Sequence, residues 1–121
     1  MVQTFRDLIV WQRSMELTVA IYRLTQKFPR EEIYGLTSQI RRSAVSIPSN
    51  IAEGQGRLSQ REFKHFLSIA RGSNSELQTQ LEIARALGFG ESTMIDEAEI
   101  LSHEVGKMLF ALLESIEDTL H

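Results

Sequence analysis

The chain has 121 residues and no cysteine, so its length fits one domain and disulfide or thiolate chemistry is excluded. Its net charge of −3 is unevenly spread, because residues 1–75 hold eleven Lys or Arg against six Asp or Glu, whereas residues 76–121 hold two against ten. We expect a single domain over residues 1–121 whose oppositely charged parts either meet different partners or attract each other within the fold.

The sequence shows no pattern typical of a targeting or membrane segment. Its longest apolar run covers residues 108–113, far short of the ~20 residues that cross a bilayer. Arg6 and Asp7 stand where a signal peptide would be apolar. The pattern therefore predicts a cytoplasmic protein without a membrane partner.

Two helices are predicted in the first half of the chain. The first covers residues 7–28, where Thr4 and Asp7 form a capping pair and Pro29 ends the helix. The second covers residues 31–53 and is followed by glycine, which is favoured just beyond a helix end.

Pro48 lies inside the second predicted helix. Proline removes one backbone donor and pushes away the carbonyl four residues earlier, so we expect a helix kink at Pro48. Small residues surround it, and the kink is either a packing device or part of a functional pocket.

Two longer helices are predicted in the second half. The third covers residues 59–87, with a capping box formed by Ser59 and Glu62 and a closing Gly88. The fourth covers residues 92–119. Because the connections are only a few residues long and apolar spacings of three and four recur, the sequence predicts an all-α, antiparallel, up-and-down four-helix bundle.

The first helix carries apolar residues on two opposite sides, whereas an outer helix of a monomeric bundle needs one apolar stripe. One stripe consists of Leu8, Trp11, Met15, Val19 and Tyr22, and the other of Val10, Leu17, Ile21, Leu24 and Phe28. An apolar stripe outside the core faces water unless another chain covers it, so we assign the second stripe to an oligomer interface. The alternative is a helix buried more centrally than its neighbours.

The residue types needed for catalysis are present without the patterns that catalysis needs. Glu62 and His65 have the Glu-x-x-His spacing of di-iron bundles, but the pair occurs once and His65 is expected to face solvent. Gly54 and Gly56 lack the preceding strand and the Lys-Ser or Lys-Thr of a phosphate loop, and no serine lies in a nucleophile elbow. We therefore predict no catalytic residue, no metal site, no cofactor and no enzymatic activity.

A group of basic residues is the pattern that indicates a ligand. On the third helix an arc contains Arg57, Arg61, Lys64 and Arg71, and the neighbouring antiparallel helix adds Arg41 and Arg42. Such cations neutralise phosphates and release counterions, so these six are the candidate nucleic-acid-binding residues. The alternative is an ordinary solvated helix face, since no exposed aromatic residue accompanies the cations.

Several strings of the sequence match one family. The longest begins at Gln39 and ends at Gly54: QIRRSAVSIPSNIAEG. Shorter strings are DLIVW at 7–11, FP at 28–29, YGL at 34–36, and EF, FL and IARGS within 62–73. In these strings the chain resembles a bacterial four-helix-bundle family that is encoded by intervening sequences within genes for large-subunit ribosomal RNA and is often labelled a ribosomal protein.

The resemblance implies a four-helix bundle that assembles into a homopentamer. It also implies kinship with the accessory protein of diversity-generating retroelements, a basic pentameric barrel that binds nucleic acid and a reverse transcriptase. Arg41 and Arg42 match basic positions of that relative, and the arc on the third helix matches them more loosely. Because this chain is net acidic, a nucleic-acid site on it has to be a local basic zone.

One expected function and one alternative follow. We expect a non-enzymatic homo-oligomer that contacts RNA or DNA through the six basic residues by neutralising the backbone, without reading sequence. The alternative is a protein-binding adaptor or scaffold with no nucleic-acid role, in which the arginines serve subunit contacts. Arginines exposed along one rim favour the first function, and arginines paired with Glu53 or with acids of a neighbouring subunit favour the second.

Overall fold

Four α-helices account for most of the chain in the computed structural model, which describes residues 2–120. They are α1 (Ile9–Thr25), α2 (Leu36–Gln55), α3 (Gln60–Leu87) and α4 (Ser92–Leu120). Single 3₁₀ turns at Phe5–Asp7 and Arg30–Glu32 precede α1 and α2, and no strand occurs within residues 2–120. The all-α four-helix prediction is confirmed.

The helices pack side by side in an antiparallel, four-sided bundle. α1 and α3 each contact both α2 and α4, so α1 and α3 lie diagonally opposite each other. Where α2 meets α3, Ser43 bonds to Glu76 and Ser46 bonds to Ser73, so residue numbers rise along one helix as they fall along the other. The side formed by α1 and α4 and the side formed by α2 and α3 are therefore opposite faces of the bundle.

One buried stripe from each helix forms the core. Removing this apolar surface from water is the main favourable contribution to folding. The buried apolar side chains are Val10, Leu17, Ile21, Leu24 and Phe28 from α1 and the turn after it, Ile40, Ala44, Ile47 and Ile51 from α2, Leu67, Ala70, Leu77, Leu81 and Ala84 from α3, and Ile95, Ala98, Val105, Leu109 and Ile116 from α4.

The stripe of α1 that we assigned to an oligomer interface lies in the core of the single chain, so that assignment was wrong. It comprises Val10, Leu17, Ile21, Leu24 and Phe28, all of which are buried. Three residues of the other stripe face outwards, since Met15, Val19 and Tyr22 are 39%, 44% and 41% exposed, whereas Leu8 and Trp11 pack partly against the core. The two stripes lie on opposite sides of one helix, and helical periodicity alone does not tell which of them turns inwards.

The starts of α1 and α2 differ from the predicted boundaries. Thr4 and Asp7 form the predicted capping box, but it caps a 3₁₀ turn, and α1 begins only at Ile9. α2 begins at Leu36, where the carboxylate of Glu32 accepts a hydrogen bond of 3.0 Å from the first amide of the helix. Acidic residues that were expected inside the helix therefore precede it and satisfy one of its free amides.

Both ends of α3 agree with the prediction. The hydroxyl of Ser59 accepts a hydrogen bond of 3.1 Å from the amide of Glu62. Gly88 closes the helix with a φ of 74°, a left-handed conformation that favours glycine. These two caps fix the length of α3, which forms part of two sides of the bundle.

Pro48 lies within α2 without ending it and is buried. Because proline cannot donate to the carbonyl of Ala44, that carbonyl instead accepts a hydrogen bond of 3.2 Å from the hydroxyl of Thr18 on α1. Near the end of α2, a Cβ added at Gly54 would come within 2.8 Å of the Cβ of Phe66, so glycine lets α3 approach closely. These contacts favour the packing interpretation of this segment, and the kink itself stays a prediction.

Candidate interaction surfaces

Arg41 and Arg42 point to different sides of α2. The Nε of Arg41 donates a hydrogen bond of 2.8 Å to the hydroxyl of Thr25, and its guanidinium carbon lies 4.6 Å from the ring centroid of Tyr22. Both of those partners belong to α1, so Arg41 helps to join α1 to α2. Arg42 is exposed, and its side chain has no ion pair or hydrogen bond to any of residues 2–120.

Two of the remaining candidate cations are paired with acids. Arg57 lies 3.3 Å from a carboxylate oxygen of Glu53, and its guanidinium carbon lies 4.8 Å from the ring centroid of Phe66. Lys64 forms an ion pair with Glu117 on α4. All four charged side chains remain 40% or more exposed, so these are surface ion pairs that contribute little stability.

The last two candidates differ in their contacts. Arg61 is exposed and has no ion pair or hydrogen bond within the described part of the chain. The guanidinium carbon of Arg71 lies 5.4 Å from the ring centroid of Phe110 on α4. The six candidates therefore do not form one continuous patch, although Arg57, Arg61 and Lys64 remain together near the start of α3.

A groove with an apolar floor runs between α1 and α4, and we call this side the α1/α4 face. Its volume is about 490 Å³, and its lining residues are Met15, Glu16, Val19, Ala20, Arg23, Met94, Glu97 and Leu101. Ile100, which is 63% exposed, borders an adjoining depression that shares Glu97 and Leu101 with the groove. Large exposed apolar side chains gathered beside a groove are typical of an interaction surface.

The charges of the α1/α4 face are only partly matched. Arg13 lies 2.8 Å from Glu16 and 3.5 Å from Glu104, and its hydrogen bond to Glu16 and the charge of Glu104 raise its pKa above the ordinary value. Arg23 and Glu97 line the same groove, and neither has an ion pair or hydrogen bond within residues 2–120. The face thus presents one donor and one acceptor that this chain does not satisfy.

A second groove, of about 530 Å³, lies between α2 and α3 on the opposite side, which we call the α2/α3 face. It is lined by Gln39, Arg42, Glu76, Thr79, Gln80 and Ile83. Gln80 is 6% exposed, its Nε2 lies 3.5 Å from Oε1 of Glu76, and its own Oε1 is buried without a partner among the described residues. The nitrogen faces a carboxylate, which fixes the amide orientation and leaves the oxygen as the unpaired atom.

A polar network crosses the interior between α3 and α4. The hydroxyl of Ser102 donates a 2.8 Å hydrogen bond to Oδ1 of Asn74, and Nδ2 of Asn74 donates a 3.0 Å bond to the Ser102 carbonyl. Nε2 of Gln78 donates a third bond, of 2.9 Å, to the same hydroxyl. Every member has a partner, so this network specifies how α3 meets α4.

Charged side chains also link α3 and α4 near the turn between them. Arg85 forms ion pairs with Asp96, at 2.7 Å, and with Glu99. A hydrogen bond with Glu99, together with its negative charge, raises the pKa of Glu82 above its ordinary value. Glu82, Glu99, Asp96 and Arg85 thus form a cluster of charges at this corner of the bundle.

The two histidines within residues 2–120, His65 and His103, lie on the surface. His65 is exposed, and its ring packs edge-on against Phe66 with centroids 5.3 Å apart. Within residues 2–120, no group of three or more His, Cys, Asp or Glu is placed to bind a metal ion. Nor is any helix in the described part of the chain long and apolar enough to cross a bilayer. The described surface offers charge, hydrogen bonds and apolar contact.

Sequence reasoning did not identify the α1/α4 groove or the unpaired acceptor of Gln80. The residues of the outer stripe were recognised as apolar, but they were not chosen as the interface because the opposite stripe had the same character. Gln80 gave no signal, since its burial depends on how α2 covers that position of α3. A polar residue three positions after Leu77, at the edge of an apolar stripe, was the pattern that could have drawn attention to it.

Comparison with known proteins agrees with the fold and the sequence strings. The family model described as 23S rRNA-intervening sequence protein matches residues 6–111, which is most of the chain. This protein belongs to that family. A crystal structure of a protein of unknown function from the S23 ribosomal protein family of Bacteroides thetaiotaomicron superposes with a TM-score of 0.80 at 26% identity, covering 88% of this chain and 96% of that chain. No curated protein matches the chain.

Proposed function

We propose that this 23S rRNA-intervening sequence family protein is a non-enzymatic, homo-oligomeric helical scaffold of the cytoplasm. The observation that supports the proposal is the outward apolar surface of α1 beside the α1/α4 groove, where Met15, Val19 and Ile100 are exposed. A stable monomer gains nothing from such a surface, whereas a second copy that covers it removes apolar area from water. The family resemblance adds the expectation of five copies in a ring.

Self-association is tested by measuring molar mass with light scattering and sedimentation over a range of protein concentrations. We expect wild type to have a multiple of the chain mass and Val19→Glu to shift towards the monomer, because a charge enters the apolar surface. Leu58→Glu is the matched control, since Leu58 is fully exposed in the turn between α2 and α3. A wild-type mass equal to one chain at all concentrations contradicts the proposal.

Nucleic-acid binding is a second candidate function, and the cations near the start of α3 support it. The side chain of Arg61 is exposed and unpaired among the described residues. The pairing of Arg57 with Glu53 favours the alternative function, although this pair and that of Lys64 are exposed enough for phosphates to compete for them. The family name links these proteins to intervening sequences of 23S rRNA, which makes RNA the natural probe. Binding would be through the backbone and independent of sequence.

The test of this candidate is fluorescence anisotropy of a labelled RNA as a function of salt. We expect log K to fall with log salt by roughly 0.7–0.9 per phosphate neutralised. A variant with Arg57, Arg61 and Lys64 all changed to Glu should lose affinity while keeping the wild-type mass.

In the control variant, Arg6, Arg30 and Lys107 are changed to Glu, which gives the same change of net charge at other positions. This control should bind the RNA more tightly than the test variant. Absence of binding by wild type at low salt contradicts the nucleic-acid role. The scaffold would then be expected to serve a protein partner, which is the alternative left by the sequence.

A further inference from the structure

The α1/α4 face and the α2/α3 face each carry a donor and an acceptor whose side chains have no partner among the described residues. On the α1/α4 face, Arg23 is a donor and Glu97 an acceptor, and neither has an ion pair or hydrogen bond within residues 2–120. On the α2/α3 face, Arg42 is an unpaired donor and Oε1 of Gln80 a buried, unpaired acceptor. The donor of each face can therefore pair with the acceptor of the other face.

The buried acceptor of Gln80 is the strongest of these observations. A buried polar atom without a partner costs free energy, and the great majority of such atoms in folded proteins are satisfied. Glu76 adds a carboxylate next to it, and one oxygen of that carboxylate already accepts a bond of 2.7 Å from Ser43. A guanidinium group carries several N–H donors, so one that enters the groove can bond to both acceptors once the Gln80 side chain turns its oxygen towards the groove.

The two faces also present these groups at the same height along the bundle. The bond between Thr25 and Arg41 sets the end of α1 beside the first half of α2. The bond between Ser43 and Glu76 sets the same part of α2 beside the second half of α3. Arg23 therefore lies in the same cross-section of the bundle as the groove that contains Gln80. Copies placed side by side could join these faces without an offset along the helices.

Apolar side chains accompany the polar groups on both sides. Met15, Val19 and Ile100 are exposed on or beside the α1/α4 face, and Ile83, which lines the α2/α3 groove, is 44% exposed. Contact between the faces would cover these side chains while the charged groups around them pair. An apolar centre with paired polar groups at the edge is typical of a specific interface.

We propose that the α1/α4 face of one copy packs against the α2/α3 face of the next copy. Arg23 of one copy donates to Gln80 and Glu76 of its neighbour, and Arg42 of that neighbour pairs with Glu97 of the first. Because the two faces differ, the contact is head-to-tail, and it closes into a ring only where each copy is rotated relative to the one before it. This inference rests on the proposed self-association and assigns its interface.

A charge swap tests the pairing of Arg42 with Glu97. Arg42→Glu and Glu97→Arg each place like charges together, so we expect each to weaken association by about tenfold or more in sedimentation. The double variant restores opposite charges and should associate to within about threefold of wild type, since the two positions are coupled only through the interface. Arg30→Glu and Glu114→Arg, both exposed and away from the two grooves, are the matched single controls.

A second variant tests the buried acceptor. Gln80→Leu removes the unpaired oxygen, so the protomer should unfold at a higher denaturant concentration while association weakens. Arg23→Gln should weaken association without changing protomer stability. If Gln80→Leu leaves association unchanged, Gln80 is not part of the interface.

The outcomes separate this inference from the proposed function. A monomeric wild type overturns both. An oligomeric wild type whose association is unaffected by Arg42→Glu and Glu97→Arg leaves the scaffold in place and overturns the assigned interface. Weakening by both single variants without recovery in the double variant also overturns the pairing, provided that circular dichroism shows all three to be folded.

Discussion

Replacing Leu17 with alanine is expected to destabilise the protomer itself, because this side chain is fully buried among the core residues of a single chain. The change removes three carbon atoms, which at ~0.8 kcal/mol each amounts to about 2.4 kcal/mol of lost transfer free energy. The cavity that remains raises the expected loss of unfolding free energy to about 3–4 kcal/mol. For a domain of this size, that corresponds to a melting temperature lowered by roughly 10–15 °C.

Denaturation in urea, followed by circular dichroism at two protein concentrations tenfold apart, measures this effect. Val19→Ala on the outward stripe of the same helix is the matched control, and it should change the unfolding free energy of the protomer by less than about 0.5 kcal/mol. Val19→Ala should weaken self-association more than Leu17→Ala does.

One result would refute the reasoning about α1. If Leu17→Ala lowered the molar mass of the oligomer but left the unfolding free energy of the separated protomer unchanged, Leu17 would belong to a subunit contact. The original assignment of the Leu17 stripe to self-association would then be correct, and α1 would have to be rotated by about half a turn within the bundle.

Three further changes have expected outcomes. Ser102→Ala leaves the buried amide of Asn74 without its hydroxyl partner and should lower the unfolding free energy in urea by about 1–3 kcal/mol. Gly88→Ala meets no neighbouring atom but requires the left-handed conformation, so a loss of about 1–2 kcal/mol is expected in the same assay. Glu99 raises the pKa of Glu82, so Glu82 stabilises the fold below its ordinary pKa of 4.5 and loses that contribution as pH rises through its folded pKa. Glu82→Gln should therefore flatten the pH dependence of the melting temperature over that interval.

Local chemistry made some boundaries predictable. Ser59 and Gly88 are a side-chain cap and a left-handed cap, and both act within a few residues of their own position, so the limits of α3 followed from the sequence. The start of α2 did not, because Glu32 has the same propensity whether it lies in the first turn of a helix or caps it from outside. Its role depends on the 3₁₀ turn before it.

The surfaces were less predictable than the helices for a related reason. The inward side of α1 is decided by which stripe meets α2 and α4, and both stripes were apolar enough to be buried. The candidate cations were predicted to bind nucleic acid, which stays a prediction, but Arg41 bonds to Thr25, and Arg57 lies in the turn before α3, where it pairs with Glu53. Those contacts join residues that are distant in sequence or share a helix end, and charge patterning does not specify them.

The hydroxyl of Thr18 donates a hydrogen bond to the carbonyl of Ala44, which Pro48 leaves free, and this bond bears on the register in which α1 packs against α2. Apolar stripes with spacings of three and four allow one helix to slip along another by a turn at little cost. The observed alignment gives the carbonyl of Ala44 a donor from Thr18, and an alignment that places no hydroxyl of α1 opposite this carbonyl would bury an unsatisfied acceptor. Pro48 therefore favours registers of α1 and α2 in which a hydroxyl of α1 faces Ala44, as Thr18 does here.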